Sequence, residues 1–174
     1  ITASQSLSNI TLDSGAHLII DATRTLTIIG TLKVDPDAVI SGNAIAYNST
    51  TGALEYIGSG SRISGLEWPT TSAPAYVTIS INDTITNNSN RVIPSNSFII
   101  NGVLDAGTYS FSSTTSSTFT IAGTVRTANL NGLINAGASG TTFTGYTNGV
   151  TFSSTVLGTS STIEYNASSG SQDI

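Results

Sequence analysis

Apolar residues along this chain recur at every second position in short runs that polar or glycine-rich stretches interrupt. Such alternation puts every second side chain on the same face of a β-strand. Residues 26–34 form one run, with Leu26, Ile28, Leu32 and Val34 on a common face around Gly30, and Asp35-Pro36-Asp37 ends it with a residue that cannot donate to a ladder. Residues 76–85 give the clearest strand signal, through Val77, Ile79, Ile81 and Ile85. Shorter runs surround Leu7, Ile10 and Leu12, residues 18–20, residues 39–47 with a break at Gly42-Asn43, and residues 53–57. No segment carries apolar positions at helical spacing, and Glu, Lys, Gln and Met are scarce. The pattern predicts an all-β chain.

One phrase, an apolar residue two positions before and two after a glycine, organises residues 98–136. It reads Ile100-Asn101-Gly102-Val103-Leu104, then Ile121-Ala122-Gly123-Thr124-Val125, then Leu130-Asn131-Gly132-Leu133-Ile134, with an earlier instance at Ile28-Ile29-Gly30-Thr31-Leu32. A glycine between two inward apolar positions lets a coiled sheet turn a corner. At longer range, residues 26–32 match 98–104, and the Glu55-Tyr56 phrase of residues 54–63 is echoed by Glu164-Tyr165 in residues 163–174. The second copy is stretched by extra Ser/Thr-rich turns. Solenoids grow in this way without disturbing earlier rungs. The expected fold is a single β-solenoid domain over residues 1–174, a parallel β-helix in which about residues 26–63 are echoed by 98–174, with a β-sandwich as the alternative.

Composition narrows the class. The 174 residues are 9% charged, with a net charge of −5 and a pI near 4.4. Five scattered cations, Arg24, Lys33, Arg62, Arg91 and Arg126, cannot neutralise a run of phosphates, so nucleic acid is not an expected partner. Without Cys or Met there is neither a disulfide framework nor a thiolate site. No apolar run is long enough for a membrane-spanning helix.

The run Glu55-Tyr56-x-Gly58-Ser59-Gly60-Ser61-x-Ile63-x-Gly65-x-Glu67-Trp68-Pro69, followed by residues 76–81, resembles the Ser/Thr-rich β-solenoid repeat regions of large secreted bacterial surface and adhesin-like proteins. The resemblance is one of repeat style and one motif. It implies an extracellular, cell-surface structural or adhesive role, in a fibre or repeat array, and the spread of the acids argues separately against an enzyme.

The residues that could carry chemistry support that expectation. Acid–base catalysis needs carboxylates within reach of one bond, and the available pairs are Asp35 with Asp37 and Glu55 with Glu67. Asp35-Pro36-Asp37 lacks the Gly and Glu of a calcium loop and reads as a turn. His17 is the sole histidine and reads as a surface or turn residue, so no catalytic, cofactor or metal residues are expected. Trp68 either plugs the core or stacks on a sugar, the latter making a carbohydrate-binding module with surface glycans as partners the alternative function. Asn9, Asn48, Asn82, Asn87 and Asn166 open Asn-x-Ser/Thr triplets, usable as N-glycan acceptors in a secreted chain, although such triplets arise by chance in this composition. Thr-x-Thr at Thr25, Thr84, Thr118 and Thr142 raises the idea of an ice-binding face, but the spacings share no constant and β-propensity explains them.

The two ends read as complementary. Residues 163–174 copy 54–63 and stop where the internal copy continues, while Leu7, Ile10 and Leu12 stand where Val77, Ile79 and Ile81 follow that copy. The expectation is head-to-tail self-assembly by strand addition, in which Ile163, Tyr165 and Ile174 receive Leu7, Ile10 and Leu12 of the next chain. Covalent neighbours in a longer array would serve equally.

Overall fold

The computed structural model describes residues 1–109, 111–112, 118–128, 154–166 and 168, and every strand pairing in it is parallel. The described residues contain no helix. The chain winds as a β-solenoid, as the alternation and the corner glycines predict. It begins with β1 (Gln5–Leu12) and β2 (His17–Ile20), then β3 (Leu26–Val34) and β4 (Val39–Gly42). Next come β5 (Ala46–Tyr47), β6 (Ala53–Tyr56) and β7 (Gly60–Ile63), followed by β8 (Tyr76–Ile79), β9 (Asp83–Thr86) and β10 (Arg91–Val92). The later coils supply β11 (Ser97–Ile100), β12 (Val103–Asp105) and β13 (Phe111–Ser112), then β14 (Thr118–Ile121) and β15 (Thr124–Thr127), then β16 (Ser154–Leu157) and β17 (Thr162–Tyr165).

Stacking sorts these strands into two long ladders. One runs β1-β3-β6-β8-β11-β14-β16, with β5 also on β3, and the other runs β17-β15-β12-β9-β7. Strands β2 and β4 pair on their own, as do β10 and β13. Register places Ile10, Leu32, Leu54, Val77, Phe98 and Phe119 in one inward column and Leu12, Val34, Tyr56, Ile79, Ile100 and Ile121 in the next. Successive members lie 21 to 23 residues apart, which is the length of one coil. A third column, Ile85, Leu104, Val125 and Ile163, lines the second ladder. Except for Ile10 and Ile163, which are partly buried, these side chains are buried. Each large one contributes roughly 1.5–3 kcal/mol by leaving water.

The glycine phrases differ in what they do. Gly102 and Gly123 turn the chain from the first ladder to the second, one above the other, and a Cβ on Gly123 would lie 2.0 Å from the Gly102 carbonyl oxygen. Only glycine fits that approach. Gly30 instead lies inside β3, where the register against β1 slips between Leu7 and Asn9, so it marks a bulge and not a corner. The Glu-Tyr phrases also separate: Glu55-Tyr56 ends β6 in the first ladder, whereas Glu164-Tyr165 ends β17 in the second. Leu130-Asn131-Gly132-Leu133-Ile134 falls outside the described residues.

Residues 76–85, which alternate like one strand, are two. Asn82 takes a left-handed φ of 72°, the chain turns there, and Ile81 points out at 69% exposure. The turn takes Ile81 out of the core, and the alternation then resumes in the same phase, with Asp83 and Ile85 facing inward.

Candidate functional site

Residues 64–69, between β7 and β8, fold inward and carry the least ordinary chemistry of the protein. Glu67 and Trp68 have no exposed surface. Glu67 is held from every side: its Oε1 accepts from Arg62 Nε at 3.1 Å, Tyr56 Oη at 3.2 Å and the Gly65 amide at 2.8 Å, and its Oε2 accepts from Arg62 Nη2 at 3.2 Å. Tyr47 Oη donates to the Glu67 carbonyl at 2.6 Å. Arg62 occupies the column of Ile85, and its Nη1 donates to the Ala38 carbonyl at 2.5 Å.

The protonation states follow from this packing. Burial pulls the Arg62 guanidinium down, but the hydrogen bonds and charge of Glu67 more than offset it, and the group stays a cation. Burial, and then the Glu67 charge, push the Tyr47 and Tyr56 phenols well above the ordinary range, so both remain donors. With both oxygens of Glu67 engaged and sealed, the carboxylate acts as a brace between β6, β7 and the inward turn.

A second buried cation continues the brace. Arg91 of β10 is 3% exposed. Its Nη2 donates to the Ser64 carbonyl at 2.7 Å and Asn88 Oδ1 at 2.8 Å, and its Nη1 donates to the Trp68 carbonyl. Ser64 Oγ in turn donates to Asn87 Oδ1 at 3.0 Å. Burial lowers the Arg91 pKa, which identifies desolvation as the main cost of placing it there. The indole of Trp68 donates to the Val92 carbonyl at 3.1 Å. Its ring packs edge-on to Phe98 at 5.4 Å and tilted against Phe111 at 5.8 Å and Tyr56 at 6.5 Å. Trp68 is therefore the core plug, and the expectation of a glycan contact there is corrected: a ring with no exposed face stacks on other rings and not on a sugar.

Outside this brace lies a groove of about 390 Å³ bordered by Val39 and Ile40 of β4, Ser61 and Ile63 of β7, and Leu66. It opens where the β2-β4 pair and the second ladder fail to join. Arg62 and Glu67 form its floor and are spent on each other.

Another buried acid stands apart. Asp83 has no exposed surface, and neither carboxylate oxygen has a hydrogen-bond partner among the described residues. Burial, and then the neighbouring Asp35 charge, raise its pKa from an ordinary 3.8 to about 6. A group whose pKa rises on folding stabilises the fold where it is protonated, so this corner loses roughly 3 kcal/mol as pH climbs through about 6, unless a counter-charge is supplied.

The remaining predicted positions are dispersed. Leu7, 37% exposed, with partly buried Ile10 and Leu12, lies on β1, the terminal strand of the first ladder. Ile163 and Tyr165 lie half-buried on β17, the terminal strand of the second, and Ile174 falls outside the described residues. The two groups thus sit at opposite ends of the stack. Glu55 faces outward and pairs with Lys33 at 2.9 Å, pointing away from Glu67. His17 is exposed, with Nε2 3.2 Å from Ser41 Oγ.

Of the five Asn triplets, Asn9, Asn82 and Asn166 are exposed, whereas Asn48 is half-buried and its Oδ1 accepts from Thr50 and Thr51. Asn87 is corrected as an acceptor: it is 4% exposed, and a buried amide bonded to Ser64 is closed to a glycan. The Thr-x-Thr pairs divide between faces, Thr84 and Thr86 in β9 and Thr118 and Thr120 in β14, while Thr142 is outside the described residues.

Sequence reasoning missed Arg62, Ser64, Asp83 and Arg91, and it named Glu67 only as half of a catalytic pair. The available signal was a charged residue at an inward place of the alternation, as at Arg62 two residues before Ser64. Comparison with known protein families, curated proteins and solved structures finds no match for this chain.

Proposed function

We propose that the chain is a rigid spacer of an extracellular surface fibre or repeat array, a structural or adhesive part that stacks end to end with like coils. The observation that carries the reading is the pair of open ladder ends. Strand β1 pairs with β3 along its length but carries no strand on its other edge among the described residues, and its Leu7 is exposed. At the far end β16 and β17 are likewise the last strands of their ladders among the described residues. Such edges invite another parallel strand, so the occupant is a further coil, from a second copy or a covalent neighbour. Because β1 already has its own partner, the contact is strand addition at an edge and not surrender of β1. Low charge and polar outward faces suit a secreted chain, and the inward brace keeps the rod stiff. Among the described residues, no helix is long and apolar enough to cross a membrane.

Joining two copies head to tail in one chain tests the reading for both sources of the neighbour. The fused pair should melt at a higher temperature than the single copy, because a stacked rung is stabilised by its neighbour. Leu7→Lys in the second copy should remove that gain while each copy stays folded. Equal melting of the single copy and the fused pair would contradict the reading.

A further inference from the structure

The corner where the chain passes from the first ladder to the second holds the unpartnered carboxylate of Asp83. Three successive coils meet there. Val34, Tyr56 and Ile79 share one column, so the residues just after them, beginning with Asp35, with Ile57 and with Ser80, stack as successive corners. Asp83 is in register with Gly60 of the middle corner. Asp35 reaches the same corner from below: a Cβ on Gly58 would come within 2.6 Å of its Oδ2. The middle corner contributes glycine at 58 and 60, so neither position puts a side chain between the two carboxylates. The left-handed Asn82 turns Asp83 inward, and no described donor meets either of its oxygens. Arg62, which reaches this corner, donates to the backbone carbonyl of Asp35 and gives its charge to Glu67.

We propose that this corner is a binding site for one hard divalent cation, calcium by size, held between the carboxylates of Asp83 and Asp35. The donor set is oxygen only, and its two negative charges match a divalent ion. Calcium accepts roughly six to eight oxygens in adaptable geometry, including bidentate carboxylates and backbone carbonyls, whereas magnesium retains waters that the sealed Asp83 side excludes. Asp35 is half-buried and Gly58 exposed, which leaves the Asp35 side as the way in. Bound there, the ion would tie together three coils that otherwise bring like charges to one corner.

Melting of the whole chain at mildly alkaline pH, in a chelator and then in millimolar calcium or magnesium chloride, tests the site. The melting temperature should rise with calcium and keep rising with the logarithm of its concentration, with a smaller effect of magnesium. Titration calorimetry should show one calcium per chain. Asp83→Asn, which removes the sealed carboxylate, should abolish both the shift and the heat. Asp35→Asn should weaken them. Identical wild-type melting in chelator and calcium would overturn the proposal and leave Asp83 as a buried acid without a counter-ion. Calcium binding that persists undiminished in Asp83→Asn would overturn it equally.

Discussion

Trp68→Ala should destabilise the protein by about 3–5 kcal/mol, the range for deleting a large aromatic from a packed interior. The indole has no exposed surface and fills the space inside the coil between Tyr56 below and Phe98 and Phe111 above. Its removal leaves a void lined by the rings of Tyr56, Phe98 and Phe111, and the hydrogen-bonded walls of a solenoid cannot close in to fill it. The Val92 carbonyl loses its indole donor as well. Trp68→Phe should recover most of the packing while forfeiting that bond, at about 1 kcal/mol. Denaturant unfolding of the three proteins measures both steps. A loss below about 1 kcal/mol in Trp68→Ala would mean that the aromatic column does not carry the core.

Glu67→Gln should cost a similar amount, about 3–5 kcal/mol, for an electrostatic reason. The amide keeps an oxygen for Tyr56 and Gly65, yet it removes the only carboxylate in contact with Arg62 among the described residues, whose side chain is 9% exposed. An uncompensated buried cation is what makes a half-broken ion pair expensive. Combining Glu67→Gln with Arg62→Met should therefore cost less than Glu67→Gln alone, since the stranded charge goes with the partner. A double substitution at least as damaging as the sum of the singles would show that Arg62 acts through its bonds to the carbonyls of residues 35–38 and not through Glu67. The exposed pair Lys33–Glu55 provides a contrast: separation there should change stability by less than about 1 kcal/mol.

The winding was legible in the chain because the same short pattern returns at every rung. Leu26, Ile28, Leu32 and Val34 face inward as their alternation predicts, and Gly102 and Gly123 sit at stacked corners because an added Cβ has no room there. The length of a coil was not legible. Alternation has a period of two and says nothing about which ladder a strand joins, so the two Glu-Tyr phrases looked like copies although they end strands of different ladders. Ile81 shows the same limit on a smaller scale, since the turn at the left-handed Asn82 takes one apolar position of an otherwise unbroken alternation out of the core. The buried charges were hidden for another reason. Arg91 meets Ser64 across 27 residues, and a lone arginine in a polar run looks like a solvated one until the coil above and the coil below are in place. For Trp68 the sequence left plug and sugar platform open, and its burial decides for the plug.

Register between successive coils is the claim on which everything else rests, and the absence of native cysteine allows a clean test of it. Thr78 and Ile99, and likewise Ile99 and Thr120, are outward neighbours on adjacent parallel strands. Cysteines placed as either pair should form a disulfide readily in the folded protein, with little loss of stability, since neighbouring strands about 5 Å apart suit the bridge. The paired substitution Thr78 and Thr120 to cysteine, two coils apart, should stay as free thiols. Ready oxidation of both adjacent pairs, with the distant pair unoxidised, is the predicted result; free thiols in the adjacent pairs of a folded protein would contradict the stacked solenoid.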